Sequence, residues 1–334
     1  MSTLPKDDST PQLHEPNSAG ADATCEGALA GPVAAQAEPG TREGAEPPAP
    51  QPLLFQNWEH SAVAPAERIP HLGHCVLLAL FALIALLLSS LAVSAALRVH
   101  LYGIGKRADA MLDIHYTLGS ELILYLVTLA IAYFVFPLFW QKSFLDGIQW
   151  NGRTAARLHL QLIFCAFLCF LLAMLSGLLI SSPKNAPIDK IFQSPGAPWL
   201  MFAFGVTIAP FFEEMFFRGF FLPAMCTACD WVNERINKTV PPLLGERGHP
   251  RWSRSAMISG ASFTSLAFAA IHLAQTGYSW GSFALLICVS LVLSVVRLTT
   301  RSLAASVLVH AAYNFLLFSV MLIGSEGFRH MDKL

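Results

Sequence analysis

The sequence predicts an all-α protein, a polytopic membrane helical bundle of about seven or eight transmembrane helices with a disordered N-terminal tail. Of its 334 residues, 54% are hydrophobic and only 13% are charged, whereas soluble domains carry roughly 25% charged residues. The apolar residues also gather in long runs without Asp, Glu, Lys or Arg. Because a helix needs about 20 apolar residues to cross a bilayer, each such run predicts a transmembrane helix.

The N-terminal segment, residues 1–68, has the opposite composition. It contains ten acidic residues, three basic residues and ten prolines. Such a segment buries too little apolar surface to offset its ordering entropy, so we expect a disordered tail. Its first residues lack the basic start and apolar core of a signal peptide. We therefore expect a tail over 1–68, a transmembrane domain over 69–334, and membrane insertion that begins with the first helix.

Charge-free runs locate the helices of this transmembrane domain. They cover residues 71–97, 122–140, 158–183, 191–212, 255–296 and 302–325. The run 255–296 is long enough for two helices, and turn-forming residues in its middle, "QTGYSWG" at Gln275–Gly281, predict the break. The count is therefore about seven.

The distribution of basic residues predicts the orientation of these helices. With seven spans, eleven lysines and arginines flank the bundle on the side of the tail and seven on the other side. Because cytoplasmic loops carry the excess of basic residues, we expect a cytoplasmic tail and an external C-terminus. The five basic residues in the loop from about Asp230 to Arg254 either rest on anionic lipid headgroups or simply set topology.

One apolar run contains three ionisable groups, Glu213, Glu214 and Arg218, in "FFEEMFFRG". Isolated charges in a bilayer are costly, and those that persist usually pair and mark a working site. Glu214 and Arg218 are four residues apart on one helix face, which favours an ion pair. Glu213 lies about 100° around the helix and stays available to take a proton. Two carboxyl groups in different environments can take separate acid–base roles.

Two further pairs lie in later apolar runs: Phe268 with His272, and His310 with Asn314. Each pair is spaced four residues apart and shares one helix face. A histidine and an asparagine one turn apart offer two donors to a developing oxyanion. A histidine beside a glutamate can orient or activate a water molecule.

Each feature also has a structural interpretation when taken alone. A lone histidine in an apolar helix is commonly a core residue with its hydrogen bonds satisfied, and Glu214 with Arg218 can be a purely structural pair. Glu121, near the start of its apolar run, is interpreted as a boundary residue. The combination of the three motifs favours a working site over these separate explanations.

The three motifs, E-E-x-x-x-R, F-x-x-x-H and H-x-x-x-N in that order on apolar segments, resemble those of the CPBP family. This Abi-like family comprises CAAX prenyl proteases and bacteriocin-processing enzymes, which are intramembrane glutamic endopeptidases of all-helical fold. The resemblance covers about residues 198–323, which we take as the protease core. One departure is Arg301, where relatives commonly have glycine.

The resemblance implies a role for each motif residue. Glu213 would act as general base and, with His272, activate the water that attacks the scissile carbonyl. His310 and Asn314 would bind the oxyanion. Glu214 and Arg218 would support and orient the site, and Phe268 would pack beside it. The substrate would be a peptide or protein at the membrane, prenylated or not, with the lipid bilayer as the other partner and no nucleic acid.

Three alternatives to this hypothesis stay open. Glu213 or Glu214 with His272 and His310 could hold a divalent metal, although the chain lacks H-E-x-x-H and the resemblance implies no cofactor. Intramembrane Glu and His also form transport pathways or proton relays. The third alternative is a non-catalytic scaffold or immunity protein with the same fold.

Overall fold

The computed structural model describes residues 68–111, 113–179, 196–238 and 252–329. The predicted tail therefore lies, except for Arg68, outside the described residues. So does most of the basic loop expected before Arg254.

Seven long apolar helices dominate the described part of the chain, and this part contains no strand. Between them lie a 3₁₀ helix at Leu101–Gly103 and short α-helices at Arg107–Ala110, Phe144–Gly147 and Gly152–Arg157. Each of the seven is long and apolar enough to cross a membrane, which confirms the predicted all-α membrane bundle and the count of seven for the described residues. The seven helices are α1 (Leu72–Arg98), α2 (Ile114–Trp140), α3 (His159–Leu179), α4 (Ala197–Asn237), α5 (Arg254–His272), α6 (Trp280–Thr300) and α7 (Leu303–Gly324).

Polar side chains define where several of these helices begin. Asp113 accepts hydrogen bonds from the backbone amides of the first turn of α2. Ser253, Ser279 and Ser302 do the same for α5, α6 and α7. Such N-caps satisfy amides that have no partner within the helix. The predicted turn at Gln275–Gly281 is confirmed, because it lies almost entirely between α5 and α6.

Packing places α4 and α7 next to each other. α7 lies against α3 and against the N-terminal half of α4, while α5 packs between the C-terminal half of α4 and α6. α1 packs on α2, and an aromatic cluster ties this pair to α4: Phe136, Trp140, Phe144 and Phe220. The three motifs, carried by α4, α5 and α7, are thereby brought to one region.

Two expected boundaries are wrong. α2 begins at Ile114, so Glu121 lies within the helix rather than at its boundary. α4 continues to Asn237, so Asp230 is helical and buried, and its carboxylate accepts hydrogen bonds from the amide and hydroxyl of Ser253. A charge-free run stops at the first ionisable residue, whereas the backbone hydrogen bonds of a helix continue through charged and apolar residues alike.

Candidate active site

Glu213 faces two histidines that come from different helices. Its Oε2 lies 3.9 Å from Nε2 of His272 at the end of α5, and 3.8 Å from Nε2 of His310 on α7. The exposed fractions of these side chains are 20%, 17% and 6%, respectively. Both distances exceed the roughly 3.2 Å limit of a direct hydrogen bond. A gap of this size suits a bridging water.

The hydrogen bond of Nδ1 in each ring determines which tautomer of the histidine faces this gap. Nδ1 of His272 lies 2.7 Å from the carbonyl oxygen of Phe268, and a carbonyl only accepts, so Nδ1 carries the hydrogen. Nδ1 of His310 lies 2.9 Å from Oε1 of Glu214 and donates to that carboxylate. In the neutral form, both rings therefore present the Nε2 lone pair toward Glu213.

Glu214 and Arg218 form the ion pair that their spacing predicts. Nη1 of Arg218 donates to Oε1 of Glu214 at 2.7 Å, and both side chains are fully buried. Nη2 of Arg218 donates to the hydroxyl of Ser290 at 2.7 Å and to its carbonyl at 3.1 Å. The pair is thus held by α6, and Glu214 in turn orients His310.

Phe268 forms one wall of the cluster. Its ring centroid lies 4.6 Å from that of His272 and 6.0 Å from that of His310. The guanidinium of Arg218 lies over the same ring, 4.8 Å from its centroid. An aromatic face stabilises a cation placed over it, so Phe268 contacts both the histidines and the buried ion pair.

The hydrogen bond of Asn314 goes to the backbone of α4 and not to a side chain of the Glu213 cluster. The Nδ2 of Asn314 donates to the carbonyl oxygen of Gly205 on α4 at 2.8 Å. A Cβ at Gly205 would lie 2.9 Å from the ring of Phe318, so the glycine permits the close approach of α4 and α7 at this level. The side-chain amide of Asn314 has a second N–H, which this hydrogen bond does not use. Six of the seven predicted site residues thus form one cluster, and Asn314 flanks it.

The described residues contain no group of three or more His, Cys, Asp or Glu side chains placed to hold a metal ion.

Comparison with family models matches residues 195–316 to the type II CAAX prenyl endopeptidase Rce1-like family. Over these residues the chain is similar to that family. All seven predicted site residues lie within it, in agreement with the resemblance drawn from the motifs. No curated protein and no solved structure matches the chain.

The matched family is one of endopeptidases, that is, of hydrolases. Together with the seven apolar helices of the described residues, the match supports an integral, multi-pass membrane protein.

Sequence reasoning missed a third carboxylate near the Glu213 cluster. Glu121 on α2 accepts a hydrogen bond from the hydroxyl of Tyr125 at 2.7 Å. The ring of Tyr125 stacks on Phe212, with centroids 4.5 Å apart, and both Glu121 and Tyr125 interact electrostatically with Glu213. An ionisable residue within a membrane helix is itself a functional signal, so the signal was present in the sequence.

Arg297 on α6 was also missed. It is buried, with 3% of its surface exposed, and it donates to the backbone of Arg218. In the sequence, Arg297 is only the residue that follows the charge-free run 255–296.

Proposed function

We propose that this protein is an intramembrane glutamic endopeptidase of the CAAX-protease type. It hydrolyses a peptide bond of a membrane-associated protein or peptide, using water activated by Glu213 and His272. The observation that carries the proposal is the gap of 3.8 and 3.9 Å between Oε2 of Glu213 and the two Nε2 atoms. A water molecule placed to the side of the line between the two atoms can make a hydrogen bond of about 2.8 Å to each of them.

Glu213 and His272 act on the attacking water. As the water oxygen bonds to the scissile carbonyl carbon, its proton passes to the Glu213 carboxylate, and the Nε2 lone pair of His272 accepts the second hydrogen bond. The carbonyl oxygen becomes an oxyanion. When the carbon–nitrogen bond breaks, the proton held by Glu213 passes to the amine that leaves. One residue thus serves as base and then as acid.

His310 stabilises the oxyanion only when its ring carries two protons. Its Nδ1 hydrogen is committed to Glu214, so donation from Nε2 requires the imidazolium form. The Glu214 carboxylate offsets this charge at 2.9 Å. Glu214 therefore has a second role beside orientation, because its carboxylate favours a cation at His310, next to the place where negative charge develops.

Asn314 supplies the second oxyanion donor in this proposal. One amide hydrogen binds Gly205, which orients the group, and the other is directed to substrate.

No cofactor is required by this scheme. The substrate is a peptide or protein at the membrane, prenylated or not, and the catalytic core spans about residues 198–323 behind a cytoplasmic tail over 1–68.

The proposal is tested with detergent-purified protein and a quenched-fluorescent peptide library that includes prenylated C-terminal peptides. Wild type, Glu213→Ala, chelator-treated wild type and the control Glu234→Gln run side by side. Glu234 lies on α4 away from the site, in an ion pair with Arg68. We expect cleavage that is lost in Glu213→Ala and kept in the other samples.

Each contrary result has a distinct meaning. Loss of cleavage with chelator would indicate a metal site in place of the glutamate mechanism. Undiminished cleavage by Glu213→Ala would refute the assignment of Glu213. If no sample cleaves any peptide, the endopeptidase proposal fails for this substrate set, and proton flux in proteoliposomes then tests the transport alternative.

Asn314→Ala should retain residual activity, because loss of one oxyanion donor typically lowers the rate by about 10² to 10³. The measurement is kcat on any peptide found in the library. Wild-type kcat in Asn314→Ala would remove Asn314 from the oxyanion site.

A further inference from the structure

The carbonyl of Arg218 has no donor within its own helix. α4 passes through a π-helical segment, Met215–Phe221, directly after the two glutamates. At its end the N–H of Leu222 donates to the carbonyl of Phe217, five residues back, as in a π-helix. The next residue is Pro223, which has no N–H. The Arg218 carbonyl therefore finds its donor neither four nor five residues ahead.

Arg297 supplies the missing donor. From the last turn of α6, its Nε donates to the Arg218 carbonyl at 3.1 Å. Nη1 donates to Oε1 of Gln149 at 2.9 Å, and Nη2 donates to the carbonyl of Ile148 at 3.3 Å. All three acceptors are neutral oxygens. The planar fork of a guanidinium can serve three acceptors at once, which a lysine ammonium on a flexible stem cannot match in the same geometry.

The turn that Arg297 contacts, at Ile148 and Gln149, also binds the start of α7. The carbonyl of Gln149 accepts from the amide of Leu303, the first residue of α7, at 3.0 Å. The carbonyl of Asn151 accepts from the hydroxyl of Ser302, the N-cap of α7, at 2.8 Å. His310 lies two turns farther along the same helix. One buried guanidinium thus links the π-helical segment beside the glutamates to the start of the helix that carries His310.

We propose that Arg297 is a positioning residue of the candidate site, which sets the gap between Glu213 on α4 and His310 on α7 by holding the Arg218 carbonyl and the Gln149 turn together. This inference rests on the proposed endopeptidase function. Because a misplacement of about 1 Å can lower a rate about 10²-fold, a small shift between the two helices should act on catalysis more than on substrate binding.

The first test compares Arg297→Lys and Arg297→Gln with Arg301→Lys, which changes an exposed arginine just beyond the same helix. Arg297→Lys keeps the charge but loses the fork. We expect kcat to fall about 10- to 100-fold with KM changed less than about threefold, more in Arg297→Gln, and no change in Arg301→Lys. A loss of activity that only follows the fraction of unfolded protein would overturn the positioning role.

The second test asks whether Arg297 acts through the Arg218 carbonyl. Pro223→Ala restores an N–H five residues after Arg218, so the carbonyl gains a donor of its own. The loss of kcat caused by Arg297→Gln should then be smaller in the Pro223→Ala background than in wild type. Equal losses in the two backgrounds would contradict this route.

Hydrogen exchange separates this inference from the proposed function. In the same detergent, Arg297→Gln should speed amide exchange in Met215–Phe221 and in the first turns of α7, because both lose a shared anchor. If wild type cleaves no peptide, the endopeptidase proposal fails, yet exchange still decides whether Arg297 anchors the two segments. Unchanged exchange in both segments would overturn the inference.

Discussion

Glu213 and Glu214 are neighbours in the chain but have different environments. Glu214 is fully buried and contacts Arg218 and His310. Glu213 keeps 20% of its side-chain surface exposed and faces the two Nε2 atoms. A rotation of about 100° per residue directs the two carboxylates to different partners, so one orients the site while the other can exchange protons.

The buried ion pair predicts how paired and unpaired substitutions differ. Glu214→Leu leaves the Arg218 cation buried without a carboxylate, which should lower the free energy of unfolding by about 3–5 kcal/mol. Glu214→Leu combined with Arg218→Met removes both charges and should recover most of that loss, while activity stays absent. Thermal unfolding in detergent measures the stabilities.

The control for this prediction is Glu234→Gln, which removes a partner from the part-buried pair with Arg68 and should cost less. If the double variant is as unstable as Glu214→Leu alone, burial of an unpaired charge is not the cause of the loss.

The contact between α4 and α5 depends on a glycine. A Cβ at Gly260 would lie 2.5 Å from Sγ of Cys226 and 3.1 Å from its backbone nitrogen. Small residues allow membrane helices to approach closely. This contact matters for the site because α5 carries His272 against the glutamates of α4.

Gly260→Ala should therefore destabilise the protein by about 1–3 kcal/mol, as overpacking does. The matched control is Gly177→Ala on α3, where an added Cβ meets nothing within 4 Å and should stabilise the helix by about 0.5–1 kcal/mol. Melting temperatures in detergent compare the two. Equal shifts of the same sign would contradict the close approach.

For the molecule as a whole, the charge distribution predicts which side of the membrane each end occupies. The seven spans of the described residues predict ends on opposite sides, and the excess of basic residues predicts a cytoplasmic tail. In a bacterial host, alkaline phosphatase fused to the C-terminus should be active, and the same enzyme fused to the N-terminus should be inactive. Activity at the N-terminus alone would reverse the orientation, and equal activity at both ends would contradict an odd number of spans.

Local patterns were sufficient for the fold class and for one pair in the site. The length of the apolar runs predicts helices that cross a membrane, because backbone groups in hydrocarbon must form their hydrogen bonds within the helix. The described residues contain seven such helices. The spacing of Glu214 and Arg218 predicted their ion pair, since residues four apart share one face of an α-helix, and the pair also forms where Arg218 lies in the π-helical segment.

Contacts between helices depended on the folded arrangement. His272 and His310 approach Glu213, Asn314 bonds to Gly205, and Arg297 bonds to Arg218. These contacts, and the position of Glu121, join distant parts of the chain. Spacing within one helix is set by the covalent backbone and its hydrogen bonds. The rotation and register between helices are set by how whole faces pack, which no single stretch of sequence specifies.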